Sequence, residues 1–384
     1  MFTKITIENV KGIKGLIELD FVAPPKKKGK KESVVMLEPN LYVNKVTGII
    51  GSNASGKSSI IKAIVELQCF LGQYGLLNYA KEHNDERMQK ALMKHRLPER
   101  NFERLVDKSR IKLDVYISKG QRSGYYTYEL EYDDDSLTEK LFYRKKFKAK
   151  NIYEIENYTS TEQRSDIGYK CYYKDSIIED YKEVSEKLKE SFEEKLKYYK
   201  TFYEYFMANY NYILGSREFE NITNKDLIEF VENNKDIAIK LLKLIDTKIE
   251  DIKVKKDEEG NSLVKFITYT GIELDIWNLS TGTIRMISII ITTLETLKNN
   301  TVMLCDEIET ALHKELVELI INMYLKSDRQ GQLIYTTHIP EILDHKEMRN
   351  EQKYYLNEQF AKLPQAVKDE LQIICVLFTE EVGG

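Results

Sequence analysis

Gly51-Ser-Asn-Ala-Ser-Gly-Lys-Ser58 follows directly on the apolar run Val46-Thr-Gly-Ile-Ile50, and this junction decides how the rest of the chain is read. A glycine, four residues, Gly-Lys and a hydroxyl residue, set between a buried strand and a helix, is the pattern of a phosphate-binding loop. Gly51 and Gly56 permit backbone angles that a side chain would block, so the N–H groups across Ser52, Asn53, Ala54 and Ser55 can turn inward on a phosphate chain. Lys57 adds positive charge at the β and γ phosphates. Ser58 adds a hydroxyl for Mg²⁺, and the helix opening at Ser58-Ser59 contributes a favourable dipole. A chance glycine-rich turn meets the whole pattern in roughly one chain in a hundred of this length.

Outward from the loop, residues 2–22 alternate apolar and polar (Ile5, Ile7, then Ile17, Leu19, Phe21) and predict two strands joined between Gly12 and Gly15. Ile111 to Ile117 and Tyr125 to Tyr132 alternate as half-exposed antiparallel strands do, with a further strand at Leu141–Tyr143. Two lysine-rich segments, residues 26–31 and 144–150, read as solvated edges or as contacts to a phosphate backbone. From Ile177 to Phe206 apolar residues recur every three or four positions, which predicts an amphipathic helix of roughly 45 Å. A second helical region is predicted over 224–253, followed by strands around 262–268 and 273–277.

Toward the C-terminus, Thr301-Val-Met-Leu-Cys-Asp-Glu-Ile-Glu309 is an apolar strand ending in acids. That order suits Asp306 to hold Mg²⁺ and Glu307 to polarise a water. Taken alone, an ordinary strand with a charged end accounts for it equally well. Upstream lie Leu279-Ser-Thr-Gly-Thr283 and an apolar helix from Ile284 to Leu297; downstream, Gln332-Leu-Ile-Tyr-Thr-Thr-His338 is a strand ending in a histidine.

These four motifs, in this order, resemble the ATP-binding-cassette class of ATPase heads, in the branch that includes SMC, RecF and the overcoming-lysogenization-defect proteins. Within it the chain resembles the prokaryotic AAA-type ATPases of abortive-infection and related anti-phage systems, over about residues 1–345. The resemblance implies an α/β P-loop NTPase fold with an ABC-ATPase-like core, mostly parallel sheet plus an antiparallel β layer, and a helical insertion. It implies an N-terminal lobe over 1–150, a mainly helical insertion over 151–260, a C-terminal lobe over 261–345 and a tail over 346–384. Residue by residue, it implies Gly51, Asn53, Gly56, Lys57, Ser58 and Ser59 on phosphate and Mg²⁺, Asp306 on Mg²⁺, Glu307 as base and His338 on the γ-phosphate. Ser280 and Gly282 would reach the ATP of a second subunit, and Glu309 to Leu312 would form the loop between the sites. The signature departs from the family's Leu-Ser-Gly-Gly-Gln, and none of Gln68, Gln73 and Gln121 is assigned as the family's Q-loop glutamine. The expected activity is ATP hydrolysis in an ATP-dependent homodimer that gates a separate effector protein. The alternatives are a DNA-clamping repair ATPase and a nucleotide-gated scaffold without turnover.

Composition narrows the setting. A net charge of −4 over 384 residues gives no global pull toward nucleic acid, so DNA contact would have to be local. Four widely spaced cysteines offer neither a zinc site nor a disulfide framework and fit a reduced cytoplasmic protein. No apolar run reaches the length of a membrane span or a signal peptide, and fewer than about fifty residues after His338 leave little for an effector domain. The tail from Met348 reads as two short helices and an apolar run from Leu371 to Phe378.

Overall fold

The computed structural model describes residues 1–23, 33–51, 55–82, 100, 107–118, 122–133, 136–148, 150, 153–160, 197–198, 200–207, 210–213, 224–245, 248–256, 260, 262–310 and 312–356. In chain order the elements are β1 (Phe2–Glu8), β2 (Leu16–Asp20), β3 (Val22–Ala23), β4 (Val34–Glu38), β5 (Leu41–Asn44), β6 (Val46–Gly51), α1 (Lys57–Glu82), β7 (Ser109–Ile117), β8 (Gly124–Tyr132), β9 (Ser136–Arg144), β10 (Tyr153–Ser160) and β11 (Tyr210–Ile213). There follow α2 (Asn224–Ile245), β12 (Ile249–Lys256), β13 (Ser262–Thr268), β14 (Glu273–Leu274), α3 (Thr281–Asn299), β15 (Val302–Cys305), α4 (Lys314–Lys326), β16 (Gln332–Thr337), α5 (Pro340–Leu343) and β17 (Lys353–Leu356). They form two compact units built from alternating segments of the chain, one of Met1, Ala23–Gly48 and Ala208–Arg349, the other of Phe2–Val22, Ile49–Met207 and Asn350–Gly384.

The second of these units is dominated by an antiparallel sheet in the order β10-β9-β8-β7-β1-β2. Its strands alternate because one face is buried and the other wet. In β7, Ser109, Ile111, Leu113, Val115 and Ile117 are buried, whereas Arg110, Lys112, Asp114 and Tyr116 are partly exposed. The buried face is aromatic: Tyr128 stacks on Phe202 with centroids 5.2 Å apart, and Tyr126 packs on Tyr143 at 5.0 Å. On the wet face ion pairs cross the strands, Arg110 to Glu8 at 2.7 Å and Lys4 to Glu18 at 2.6 Å. Arg144, from the lysine-rich segment 144–150, joins this network at 3.9 Å from Asp114 and donates to the Phe147 carbonyl at 3.0 Å.

In the other unit β11, β15 and β16 run parallel in that order, and the sheet continues to β6. Val302 to Cys305 and Gln332 to Thr337 are buried throughout, as strands covered on both faces are. Leu333 N–H donates to the Lys45 carbonyl at 2.7 Å just before β6 begins. A Cβ on Gly48 would lie 2.2 Å from Leu343 and 2.7 Å from the Tyr335 ring, so this position in β6 takes glycine for space.

The predicted helix over 224–253 ends at Ile245. Ile249–Lys256 instead pairs antiparallel with β13, from Ile249 opposite Thr268 to Lys256 opposite Ser262, burying Ile249 and Ile252. The predicted strand 273–277 stops at Leu274, because Asp275 accepts the Asn278 N–H at 2.9 Å and starts a tight turn. The helix predicted from Ile284 starts earlier, at Thr281. Of the helix predicted over 177–206, residues 197–198 and 200–206 are helical and the rest lies outside the described residues, as do residues 24–32, Gln121 and everything after Leu356. Part of the expected helical tail is strand β17, in which Tyr354 is buried and its hydroxyl donates to the Asp20 carbonyl at 2.6 Å and accepts from Asp20 N–H at 2.8 Å. Segment 151–260 includes β10, β11 and β12 as well as α2. Among the described residues no helix is long and apolar enough to cross a membrane.

Candidate functional site

β6 ends at Gly51, and a Cβ there would meet the Leu356 carbonyl at 2.3 Å and Ser55 Oγ at 2.4 Å. Beyond Ser55 the chain turns through Gly56, whose φ of +91° belongs to the left-handed region that glycine enters without strain. Gly56 O accepts the Ile60 N–H at 3.1 Å and so opens α1. Lys57 is buried, and its ammonium donates to the Gly51 carbonyl at 2.6 Å, across the loop it closes. Ser55 Oγ is buried with no hydrogen-bond partner among the described residues, and Ser58 is partly exposed at the head of the helix. Ser59 Oγ accepts from Gly12 N–H at 3.2 Å, which ties the helix to the turn between β1 and β2. A cation folded back on a loop carbonyl and an unpartnered serine hydroxyl fit a group rich in anionic oxygens. Ser52, Asn53 and Ala54 lie outside the described residues.

The acidic residues and the histidine lie in the parallel unit. β15 delivers Asp306 at its C-terminal end, where the carboxylate is buried and accepts from Thr336 Oγ1 at 2.6 Å through Oδ1. The same hydroxyl accepts from Glu307 N–H at 2.8 Å, so one threonine at the end of β16 fixes both acids. Asp306 Oδ2 has no hydrogen bond among the described residues, which leaves a hard oxygen suited to a magnesium ion. Glu307 has φ of 48°, left-handed for a residue with a side chain. Its Oε2 accepts from Thr310 Oγ1 at 3.1 Å and its Oε1 lies 3.4 Å from His338 Nε2. The His338 amide donates to Glu309 Oε1 at 2.6 Å. Both Glu307 and His338 keep about a third of their side chains in solvent, at 36% and 38%. Burial pushes the neighbouring Cys305 thiol up to about 12.

Ser280 caps α3: its Oγ accepts from Thr283 N–H at 3.1 Å and shares a hydrogen bond with Thr283 Oγ1 at 2.7 Å. Ser280 is exposed and Gly282 half-exposed, so both face outward at the helix N-terminus. One and a half turns on, Arg285 is buried and donates through Nη2 to the carbonyls of Asp306 at 3.1 Å and Glu307 at 2.7 Å.

The structure thus assembles Asp306, Glu307 and His338 in one unit and Gly51, Ser55, Gly56, Lys57 and Ser58 in the other. Sequence reasoning missed Arg285 and Thr336, and placed Thr310 only within the loop over Glu309 to Leu312, without its contact to Glu307. Arg285 had a signal, a lone charge inside Ile284-Arg-Met-Ile-Ser-Ile-Ile-Ile291, since charges in such runs survive only when paired. Thr336 had none, because its role depends on contacts made across strands, at Asp306 and Glu307.

Residues 46–344 match the family model described as "AAA domain, putative AbiEii toxin, Type IV TA system", and residues 345–384 match a family of unknown function. No curated protein matches the sequence. Among solved structures the chain is similar to an SMC head bound to the C-winged helix domain of ScpA, at 14% identity and a TM-score of 0.43, covering 91% of this chain and 95% of that one. An SMC head domain from Thermotoga maritima gives 12% identity and a TM-score of 0.36 over 92% and 94% of the two chains. An SMC head with an extended coiled coil, bound to the C-terminal domain of ScpA derived from Pyrococcus furiosus, gives 13% and 0.39 over 100% and 99%.

Proposed function

The chain belongs to this AAA-domain family, and from that premise we propose that it binds and hydrolyses ATP, closing as a homodimer on ATP and opening on hydrolysis. The observation that carries the reading is the pinned acid pair: Asp306 and Glu307 are held by one Thr336 hydroxyl, with His338 at 3.4 Å from the Glu307 carboxylate. Residues with side chains held at positive φ, as Glu307 is, cluster at active sites. In this reading Lys57 and the N–H groups of the loop take the β and γ phosphates, with Ser58 and Ser59 beside them. Asp306 and Ser58 hold Mg²⁺, which when bound neutralises charge on the phosphate oxygens. Glu307 accepts the proton of the attacking water, and His338 orients that carboxylate and donates to the γ-phosphate. Ser280 and Gly282 serve the ATP of the second subunit.

The family's description, "putative AbiEii toxin, Type IV TA system", favours a role in abortive infection; the effector in this reading is a separate chain. A reading in which the closed dimer clamps DNA draws on the lysine-rich segments, but Arg144 is already committed to Asp114 and Phe147. The test is phosphate release from the full chain with Mg²⁺ and ATP, with and without duplex DNA. Saturable hydrolysis that Lys57→Ala removes, together with ATP binding, is expected. Wild-type nucleotide affinity in that variant sinks the loop assignment. DNA stimulation with a steep salt dependence turns the reading toward the clamp.

A further inference from the structure

Helix α3 leaves the Ser280 turn as an apolar rod in which Met286, Ile287, Ile289 and Ile290 are almost wholly buried. Arg285 interrupts that run and is itself 2% exposed. A guanidinium keeps its charge when buried, so its donors must meet acceptors. Nη2 meets the carbonyls of two consecutive residues, Asp306 at 3.1 Å and Glu307 at 2.7 Å. Those carbonyls belong to the peptide units on either side of the Glu307 Cα, the residue held at φ 48°. The amide of the first unit is fixed again by Thr336 Oγ1, and the Ile308 amide of the second by the Thr336 carbonyl at 3.0 Å. With both peptide planes fixed, the direction of the Cα–Cβ bond is fixed, and so is the region the carboxylate can reach.

We propose that Arg285 is the positioning residue for Glu307: it holds the two peptide units in the left-handed turn that aims the carboxylate beside His338. The assignment rests on the reading of Glu307 as the base for ATP hydrolysis. These two bonds go to backbone oxygens, so through them Arg285 acts on the main chain.

The test compares Arg285→Met and Arg285→Lys in the full chain with Ile289→Ala, a control that removes buried apolar contacts one turn further along the same helix. For Arg285→Met, kcat is expected to fall roughly 10- to 100-fold while the Kd for Mg·ATP stays within about threefold, the signature of a misplaced group. Amide hydrogen exchange over 306–310 is expected to quicken, with β7 to β9 unchanged. Arg285→Lys, which offers a single point charge to two carbonyls, should recover part of kcat. The assignment is overturned if Arg285→Met turns over like wild type, if Ile289→Ala at a matched melting temperature loses as much kcat, or if exchange over 306–310 does not change. Should Arg285→Met fail to fold, Arg285→Lys decides, with wild-type kcat and exchange overturning the assignment. A wild-type protein that binds but does not hydrolyse ATP defeats the hydrolysis reading alone; the exchange comparison then decides Arg285's hold on the turn.

Discussion

Glu307 occupies a conformation that costs about 1–2 kcal/mol for a residue with a Cβ. Two hydrogen bonds from a charged donor, each contributing about 1.5–3 kcal/mol, are enough to offset it. The strain is local and the compensation comes from a helix more than twenty residues upstream. Glu307→Gln keeps the shape and the Thr310 contact but cannot accept a proton. It should bind ATP as wild type does and hydrolyse it roughly 100- to 10,000-fold more slowly, read by single-turnover assay. Turnover at the wild-type rate would remove Glu307 from the role of base. Asp306→Asn should differ, raising the Mg²⁺ concentration needed for half-maximal activity.

At the scale of elements, β15 and β16 were legible because each is a continuous apolar run closed by polar residues, and the loop between β6 and α1 because its glycines recur at a fixed interval. The segment 249–253 was not. Its Ile249 and Ile252 are spaced as on one face of a helix, and only the pairing with β13 makes the segment a strand. The same limit hid Thr336, since no local pattern announces a hydroxyl that bridges two acids at the end of the neighbouring strand β15. Burial in β15 also makes a chemical prediction. Cys305 is fully buried and desolvation raises its pKa to about 12, so the native thiol stays in its unreactive, protonated form. Native protein treated with iodoacetamide should leave the Cys305 peptide unmodified, whereas denaturant should make it react within minutes. Mass spectrometry of that peptide reads both, and rapid native labelling would contradict the packing of β15.

For the whole molecule, the proposed dimer makes the activity of one chain depend on its neighbour. A Ser280→Arg chain should bind ATP yet hydrolyse it poorly, and mixing it with Lys57→Ala should restore activity in the one composite site that is intact. The converse mixture excludes failed exchange: with a ninefold excess of the double mutant Lys57→Ala/Ser280→Arg, activity per wild-type chain should fall to about one-tenth, the share of wild-type chains still meeting another. Unchanged activity, with heterodimers confirmed by pull-down, refutes the two-site arrangement. The P-loop and acid motifs located these groups in the sequence, but the division of the chain into interleaved units was invisible there, because it depends on contacts between segments hundreds of residues apart.

Lineage and folding draw their borders in different places along this chain. The match to the AAA-domain family stops at 344 and another family begins at 345, yet Tyr354 is bonded twice to Asp20 and the Leu356 carbonyl closes the space over Gly51. A gene recombined at that border would not shed an appendage. It would strip the backing from the first glycine of the phosphate loop, where the Leu356 carbonyl lies.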